Sequence, residues 1–340
     1  VSTPVFYFYG GEDVDFTASG GSFVSTAAGT FRSGVARCAL VGYADPGVHN
    51  GAFWSALDSF TSYASSLWLS AECWTQFLGH NNANDILRIC DGAVPRIRVE
   101  SSSTGAAFCT VYKQNAAGAA TSLGTIGQEW IPANAVTKMD VQLIYSTTGM
   151  LNIYQNNTLI FSYVGDVTTD GTTVGVNGLQ LGSNSYLNSS FNIYWSEVIV
   201  SDSDTRGMAG LVTLAPVANG NTHNFDVGSP AASHVNKISI DDSTYDGASA
   251  SGLIDQYTIG SLPAGSWQIT SLGIRARAEI AAFGGPLFQP GVRSGSTDFW
   301  GSSFAMGYTW QNNNFQSWEV DPTTGAPWSD LPVNIGLKAA

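Results

Sequence analysis

Met139-Asp-Val-Gln-Leu-Ile-Tyr145, Met150-Leu-Asn-Ile-Tyr154 and Thr158-Leu-Ile-Phe-Ser-Tyr163 are the runs that decide the architecture of this chain. In the first, Met139, Val141, Leu143 and Tyr145 fall on one face, the period of two that sets one side of a strand against a core. The links between runs are Ser146-Thr-Thr-Gly149 and Gln155-Asn156-Asn157. Glycine and asparagine take the left-handed backbone that a tight reversal needs. The three runs therefore predict an antiparallel meander.

Short alternating segments continue on both sides of it. Leu67 to Phe77 has the period and residue types of a strand in a two-layer sheet, and Phe108-Cys-Thr-Val-Tyr-Lys113 reads the same way. Asp85 to Ile89 and Pro95 to Glu100 flank Cys90-Asp91-Gly92, whose Asp-Gly pair signals a hairpin. Strands are also expected at Gly178 to Gly182 and Ser190 to Val200, with one short helix at Ser55 to Ala64. Composition agrees: 38 Gly, 12% aromatic and only 11% charged residues suit short strands joined by turns and argue against disorder. The fold class predicted is all-β.

Charge removes two kinds of partner. With 13 Lys+Arg against 26 Asp+Glu the net is −13, and no basic stripe exists to displace counterions from phosphates, so nucleic acid is not an expected partner. Membrane insertion is not expected either, because no apolar run approaches the roughly 18–20 residues of a span. The opening Val1 to Tyr9 has no basic start and no cleavage pattern, so it reads as a first strand.

The alternation loosens at Ser201-Asp-Ser-Asp-Thr-Arg-Gly207, which places a boundary near residue 205. Residues 1–204 are expected to form the larger domain and 205–340 a smaller β-sandwich. In the second part Ile238 to Ile240, Asp255 to Ile259, Trp267 to Ile280, Phe299 to Tyr308 and Gln316 to Val320 read as strands. Asp321-Pro-Thr-Thr-Gly-Ala-Pro-Trp328 reads as a rigid turn.

The pattern from Met139 to Gly207 carries a family likeness. The strand Lys138-Met-Asp-Val-Gln-Leu143 and the run Leu151-Asn-Ile-Tyr-Gln-Asn-Asn-Thr-Leu-Ile-Phe161 resemble the centre of concanavalin A-like, laminin-G-like jelly rolls. Leu179-Gln-Leu-Gly182 and Phe191 to Asp202 are similar to that fold's closing strands. A wider layout resembles structural proteins of tailed bacteriophages in which a lectin-like jelly roll precedes a small β domain. It runs from Trp195 to Met208 through Leu214-Ala-Pro216, Arg275-Ala-Arg277, Val292-Arg-Ser-Gly295 and Asp321 to Trp328 to Gly336-Leu-Lys338. That resemblance implies a virion component of tail, fibre or head surface, localised to the particle. It would act by packing against other virion proteins and copies of itself, with recognition of a host surface glycan. The alternatives are a secreted lectin-like module and a glycoside hydrolase.

A glycosidase needs two carboxylates flanking the scissile bond. The lone Glu-x-Asp, Glu319-Val320-Asp321, meets Thr324 where a further acid belongs, and Glu12 and Asp15 have the wrong phase to share a strand face. His49, His80, His223 and His234 lie apart in polar loops and read as solvated or turn residues. No catalytic, cofactor-binding or metal residue is nominated, and a non-enzymatic protein without cofactor is expected. Asp242-Ser-Thr-Tyr-Asp246-Gly247 follows half of a calcium loop but puts Leu253 where a bidentate Glu is required. Asp166, Asp170, Asp202 and Asp204 read as turn caps. Cys38, Cys73, Cys90 and Cys109 lack zinc spacing and allow three disulfide pairings; Cys73 and Cys90, inside strand runs, read as small buried hydrophobes. Trp54, Trp68, Trp74, Trp300, Trp310, Trp318 and Trp328 are mostly core by this reading. The loop Trp310 to Phe315 is the exception, suited to polar contacts.

Overall fold

The computed structural model describes residues 5–9, 17–19, 22–24, 38–42, 52–55, 64–75, 84–92, 94–101, 108–132, 134–169, 175–183, 192–206, 212, 214–228, 231–236, 242–274, 276–280, 287–304, 306–308, 311–312 and 316–340. Two compact units emerge, one of Val5–Leu211 and one containing Val212–Ala340.

Among the described residues, the regular elements of the first unit are all strands. In chain order they are β1 (Val5–Tyr9), β2 (Thr17–Ser19), β3 (Ser22–Val24), β4 (Cys38–Gly42) and β5 (Ala52–Ser55). Next come β6 (Ser66–Thr75), β7 (Asn84–Asp91), β8 (Val94–Ser101), β9 (Cys109–Gln114) and β10 (Ala120–Ile126). The last five are β11 (Thr137–Ile144), β12 (Gly149–Gln155), β13 (Thr158–Gly165), β14 (Gly178–Ser183) and β15 (Asn192–Ser201). They form an eight-stranded sheet in the order β13-β12-β11-β6-β15-β4-β3, with β1 also on β15. A seven-stranded sheet runs β10-β9-β8-β7-β14-β5-β2. All pairings are antiparallel, giving the jelly-roll β-sandwich.

The meander forms as the alternation requires. Met139, Val141, Leu143 and Tyr145 are all buried. The β12–β13 reversal is a two-residue turn with Asn156 and Asn157 both at positive φ (48° and 67°), the geometry that matches strand twist. Gly92, at φ 55°, turns β7 into β8. Leu67, Leu69, Leu151, Ile153, Trp195 and Val200 of one sheet join Leu87, Ile89, Ile97, Val99, Val111 and Leu181 of the other in a single core, and each such aliphatic side chain contributes about 1.5–3 kcal/mol. Cys73, Cys90 and Cys109 are buried free thiols, and Cys73 and Cys109 belong to this core.

The helix expected at Ser55 to Ala64 is not supported at its ends: Ser55 closes β5 and Ala64 forms an isolated bridge to Val176. Its centre, 56–63, lies outside the described residues. Strand β10 was missed because Ala120-Thr-Ser-Leu-Gly-Thr-Ile126 has no apolar alternation; as an edge strand it is largely exposed.

In the second unit the strands are β16 (Pro216–His223), β17 (Ile254–Ile259), β18 (Leu272–Ile274), β19 (Arg277–Ala278), β20 (Phe288–Ser294), β21 (Thr297–Trp300), β22 (Gln311–Asn312), β23 (Gln316–Trp318) and β24 (Asn334–Ala339). A one-turn helix α1 (Ala232–Val235) follows β16. The main sheet runs β16-β17-β24-β20-β21, and β18-β23 and β19-β22 are two-stranded. Ile274, Leu272 and Trp318 of the β18-β23 ribbon pack with Val292, Phe299 and Ile335 of the main sheet around Trp328, so this unit too is layered β structure.

Two expected strands are corrected. Trp267 to Ile280 yields only the short β18 and β19, and Trp267 instead donates its indole N–H to the Pro263 carbonyl at 2.7 Å in a turn. Phe299 to Tyr308 stops at Trp300, where Gly301 N–H turns to the Pro290 carbonyl. Ile238 to Ile240 lies outside the described residues. Strand β16, Pro-Val-Ala-Asn-Gly-Asn-Thr-His, was missed because its composition is that of a turn.

Candidate functional site

The outer face of the seven-stranded sheet gathers planar polar side chains from distant parts of the sequence. Burial of Ile97 and Val99 turns Arg98 and Glu100 of β8 outward, and burial of Cys109 and Val111 turns Thr110 and Tyr112 of β9 the same way. Register then aligns them. Arg98 stands opposite Tyr112 on one side and Arg88 of β7 on the other, and Arg88 stands opposite Gln180 of β14. Such directly opposed positions lie about 4.5–5.5 Å apart at Cβ. Tyr112, Arg98, Arg88 and Gln180 thus make one continuous row across four adjacent strands.

Asp85 organises the row. Its carboxylate receives Arg98 Nη2–H at 2.7 Å, Arg98 Nε–H at 3.0 and 3.1 Å, and Arg88 Nε–H at 2.6 Å. Arg98 also donates to Glu100 Oε2 at 2.7 Å and Gln114 Oε1 at 2.9 Å, and lies 5.8 Å from the Tyr112 ring centroid. Arg88 donates to Gln180 Oε1 at 3.3 Å. The Asp85 side chain is 2% exposed, while those of Arg88, Arg98 and Glu100 are 16%, 18% and 23% exposed. The result is a prepaired face whose outer atoms meet solvent. Burial, reinforced by the Asp85 charge and opposed by Arg98, pushes the Glu100 carboxyl above its ordinary value. Burial works against the Arg98 charge, but its hydrogen bond to Asp85 and the surrounding carboxylates hold the guanidinium above its usual range.

A second polar cluster lies on the outer face of the eight-stranded sheet. Lys138 Nζ donates to the carbonyls of Thr205 and Arg206 at 3.1 and 3.0 Å, and Thr205 Oγ1 donates to Asp140 Oδ1 at 3.0 Å. These bonds pin the segment after β15 to the sheet. Glu197, buried in β15 at φ 50°, occupies a bulge between Ser196 and Ile199.

The second unit holds a chain of titratable groups. Tyr257 donates its hydroxyl to Asp246 Oδ2 at 2.7 Å and to Asp255 Oδ2 at 3.0 Å, and His234 and His223 place Nδ1 at 3.1 and 2.9 Å from Asp246 and Asp255. Burial and the two carboxylates push the Tyr257 phenol far up. The reading of His223 and His234 as separate solvated loop residues is therefore corrected: one ends β16, the other sits in α1, and both join this network. His49 and His80 lie outside the described residues.

The other expected residues divide as follows. Asp166 caps the Thr168 amide at 2.9 Å and pairs with Lys113, Asp202 accepts from Ser203 Oγ, and Asp204 binds Arg206; Asp170 is outside the described residues. Asp242 pairs with Arg277 while Asp246 goes to Tyr257, so the calcium-like string sends its acids to different partners. Among the described residues no three metal-ligating side chains converge. Glu319 accepts from Ser317 Oγ, and Asp321 caps its own turn. Glu12, Asp15, Trp310 and the centre of the 310–315 loop are outside the described residues. Sequence reading missed the row on the seven-stranded sheet; the alternation Arg96-x-Arg98-x-Glu100 was its visible trace.

No protein-family model matches the chain, and no curated protein matches it. Among solved structures, the chain is similar to an endo-β-1,4-glucuronan lyase from the fungus Trichoderma reesei (11% identity, TM-score 0.45), covering 58% of this chain and 95% of that one. It is also similar to the cellulose induced protein Cip1, at 13% identity and TM-score 0.40 over 59% and 92% of the two chains. The carbohydrate binding module CBM66 from Bacillus subtilis aligns at 12% identity and TM-score 0.36, over 55% of this chain and 96% of that module.

Proposed function

We propose that this chain is a glycan-recognition protein that binds without making or breaking bonds, through the outer face of its seven-stranded sheet. The observation that carries the reading is the row Tyr112–Arg98–Arg88–Gln180, fixed by Asp85 before any ligand arrives. A phenol ring offers an apolar face to a sugar, and guanidinium and amide groups offer directed hydrogen bonds to its hydroxyls. Prepaired side chains lose little entropy on binding. Asp85 and Glu100 are each engaged by a guanidinium group, which favours a recognition role over that of acid and base.

A glycan array probed with the wild-type protein and with Tyr112→Ala tests this. Binding of a defined oligosaccharide set, lost in the variant, is the expected result; no signal from the wild type overturns the reading. Release of product from a bound oligosaccharide, abolished by Glu100→Gln, would replace recognition by hydrolysis. The virion setting implied by the sequence resemblance remains part of the proposal. Peptide mass spectrometry of purified particles tests it, and absence of the chain from them would remove that setting.

A further inference from the structure

On the eight-stranded sheet, register places Trp68 of β6, Gln142 of β11 and Asn152 of β12 in one row, and Ser70, Asp140 and Tyr154 of the same strands in the next. This patch differs from the first in one respect. Ser70 Oγ, Asp140 Oδ2 and Asn152 Oδ1 are buried with no hydrogen-bond partner among the described residues, in residues 1%, 0% and 7% exposed. Buried polar atoms are normally paired, so three unpaired atoms on adjacent strands mark a place whose partner lies outside the fold. Two are acceptors and the third is a hydroxyl, a set that suits neighbouring hydroxyl groups.

An aromatic platform flanks these atoms. The Trp68 and Tyr154 rings stack with centroids 5.8 Å apart and planes 25° apart. The Arg206 guanidinium lies over both, 5.0 and 4.5 Å from their centroids. Its other side-chain partner is Asp204, two residues away, and the two side chains are 35% and 45% exposed. Exposed ion pairs and exposed cation–π contacts are weak. Meanwhile Lys138 and Thr205 hold the backbone of this segment independently. The guanidinium can therefore swing off the rings while the segment stays in place.

We infer that this patch is a second, plugged subsite for a polyhydroxylated ligand of the sugar class, with Arg206 as its removable plug. A sugar ring takes the guanidinium's place on Trp68 and Tyr154, and its hydroxyls satisfy Asp140 Oδ2, Asn152 Oδ1 and Ser70 Oγ. This inference stands apart from the reading of the seven-stranded sheet, and Arg98→Ala separates the two.

The experiment compares Arg98→Ala with Arg98→Ala/Arg206→Ala, both as full chains with matching circular dichroism, on a glycan array and then by calorimetric titration of the strongest glycan. The expected result is at least a tenfold gain in affinity on removing Arg206. Adding Ser70→Ala should reverse several-fold of that gain, because the Ser70 hydroxyl makes no hydrogen bond among the described residues that its loss could break. Should the Arg206 variant misfold, Asp204→Ala releases the guanidinium and should give a smaller gain. Raising NaCl from 50 to 500 mM should strengthen this site in the Arg98→Ala protein. Failure of every one of the unplugged forms to bind more tightly than the plugged one overturns the inference, whatever the first site does.

Discussion

Arg98 holds Asp85 through two N–H groups, Nη2–H to one carboxylate oxygen and Nε–H shared between both, on a carboxylate that is 2% exposed and that also accepts from Arg88. Removing one member of a buried ion pair leaves the other charges unmatched, which costs about 3–5 kcal/mol. Asp85→Ala should therefore destabilise the first unit by that order, whereas Gln114→Ala, which removes a neutral and better exposed acceptor, should cost about 1 kcal/mol. Urea unfolding followed by tryptophan fluorescence measures both. Equal costs would mean that Asp85 is not the organising charge.

Two glycines separate steric from conformational need. A Cβ on Gly291 would meet Trp300 Cε3 at 2.3 Å and the Phe299 carbonyl oxygen at 2.9 Å. Gly291→Ala should overpack the β20–β21 contact and cost about 1–3 kcal/mol. At Gly92 nothing lies within 4 Å, but φ is +55°, so Gly92→Ala should cost only about 1 kcal/mol through backbone strain. Thermal denaturation of the two variants checks the order.

Burial pushes the Cys90 and Cys109 thiols up to about 12 and raises Cys73 as well. The thiolate is the reactive species, so iodoacetamide at pH 8 should leave all three unmodified in the native protein and label them in 6 M guanidinium. Peptide mapping by mass spectrometry reads each site. Native labelling of Cys109 at the unfolded rate would contradict its placement.

Asp321 carries the turn between β23 and β24. Burial alone would raise its carboxyl, but hydrogen bonds from Ser294 Oγ, the Thr323 amide and Thr324 Oγ1 outweigh it and hold the group below its ordinary value. Asp166 and Asp204 are lowered too, chiefly by hydrogen bonds from Thr168 and Arg206. A depressed carboxyl adds stability that is complete above about pH 4 and is lost as pH falls through the folded value. Glu100 has the opposite sign: its raised carboxyl favours the fold at low pH and loses that contribution as pH rises. Asp321→Asn should therefore flatten the acid limb of stability against pH below 4, and Glu100→Gln should flatten the region just above it. Urea midpoints from pH 2.5 to 7 measure both effects.

The meander, the Asp91-Gly92 hairpin and the two closing strands were legible because local alternation and turn chemistry coincide there. Tyr112, Arg98, Arg88 and Gln180 each sit in a segment recognisable as a strand, yet their meeting depends on cross-strand register, which one sequence does not display. The His223–Asp255–Tyr257–Asp246–His234 chain is hidden in the same way: Asp255 and Tyr257 sit in a readable strand, but the two histidines and Asp246 look like isolated loop residues until the fold brings them together. In the second unit, β16 and the broken run from Trp267 to Ile280 were misread because tertiary pairing there overrides local preference in both directions.

Amide hydrogen exchange, with and without the glycan that gives the strongest array signal, tests the central claim most directly. The account predicts added protection at Arg88, Arg98, Tyr112 and Gln180 and their strand neighbours, and loss of that protection in Tyr112→Ala. Protection confined to the second unit, or none on this face at a saturating concentration, would contradict it.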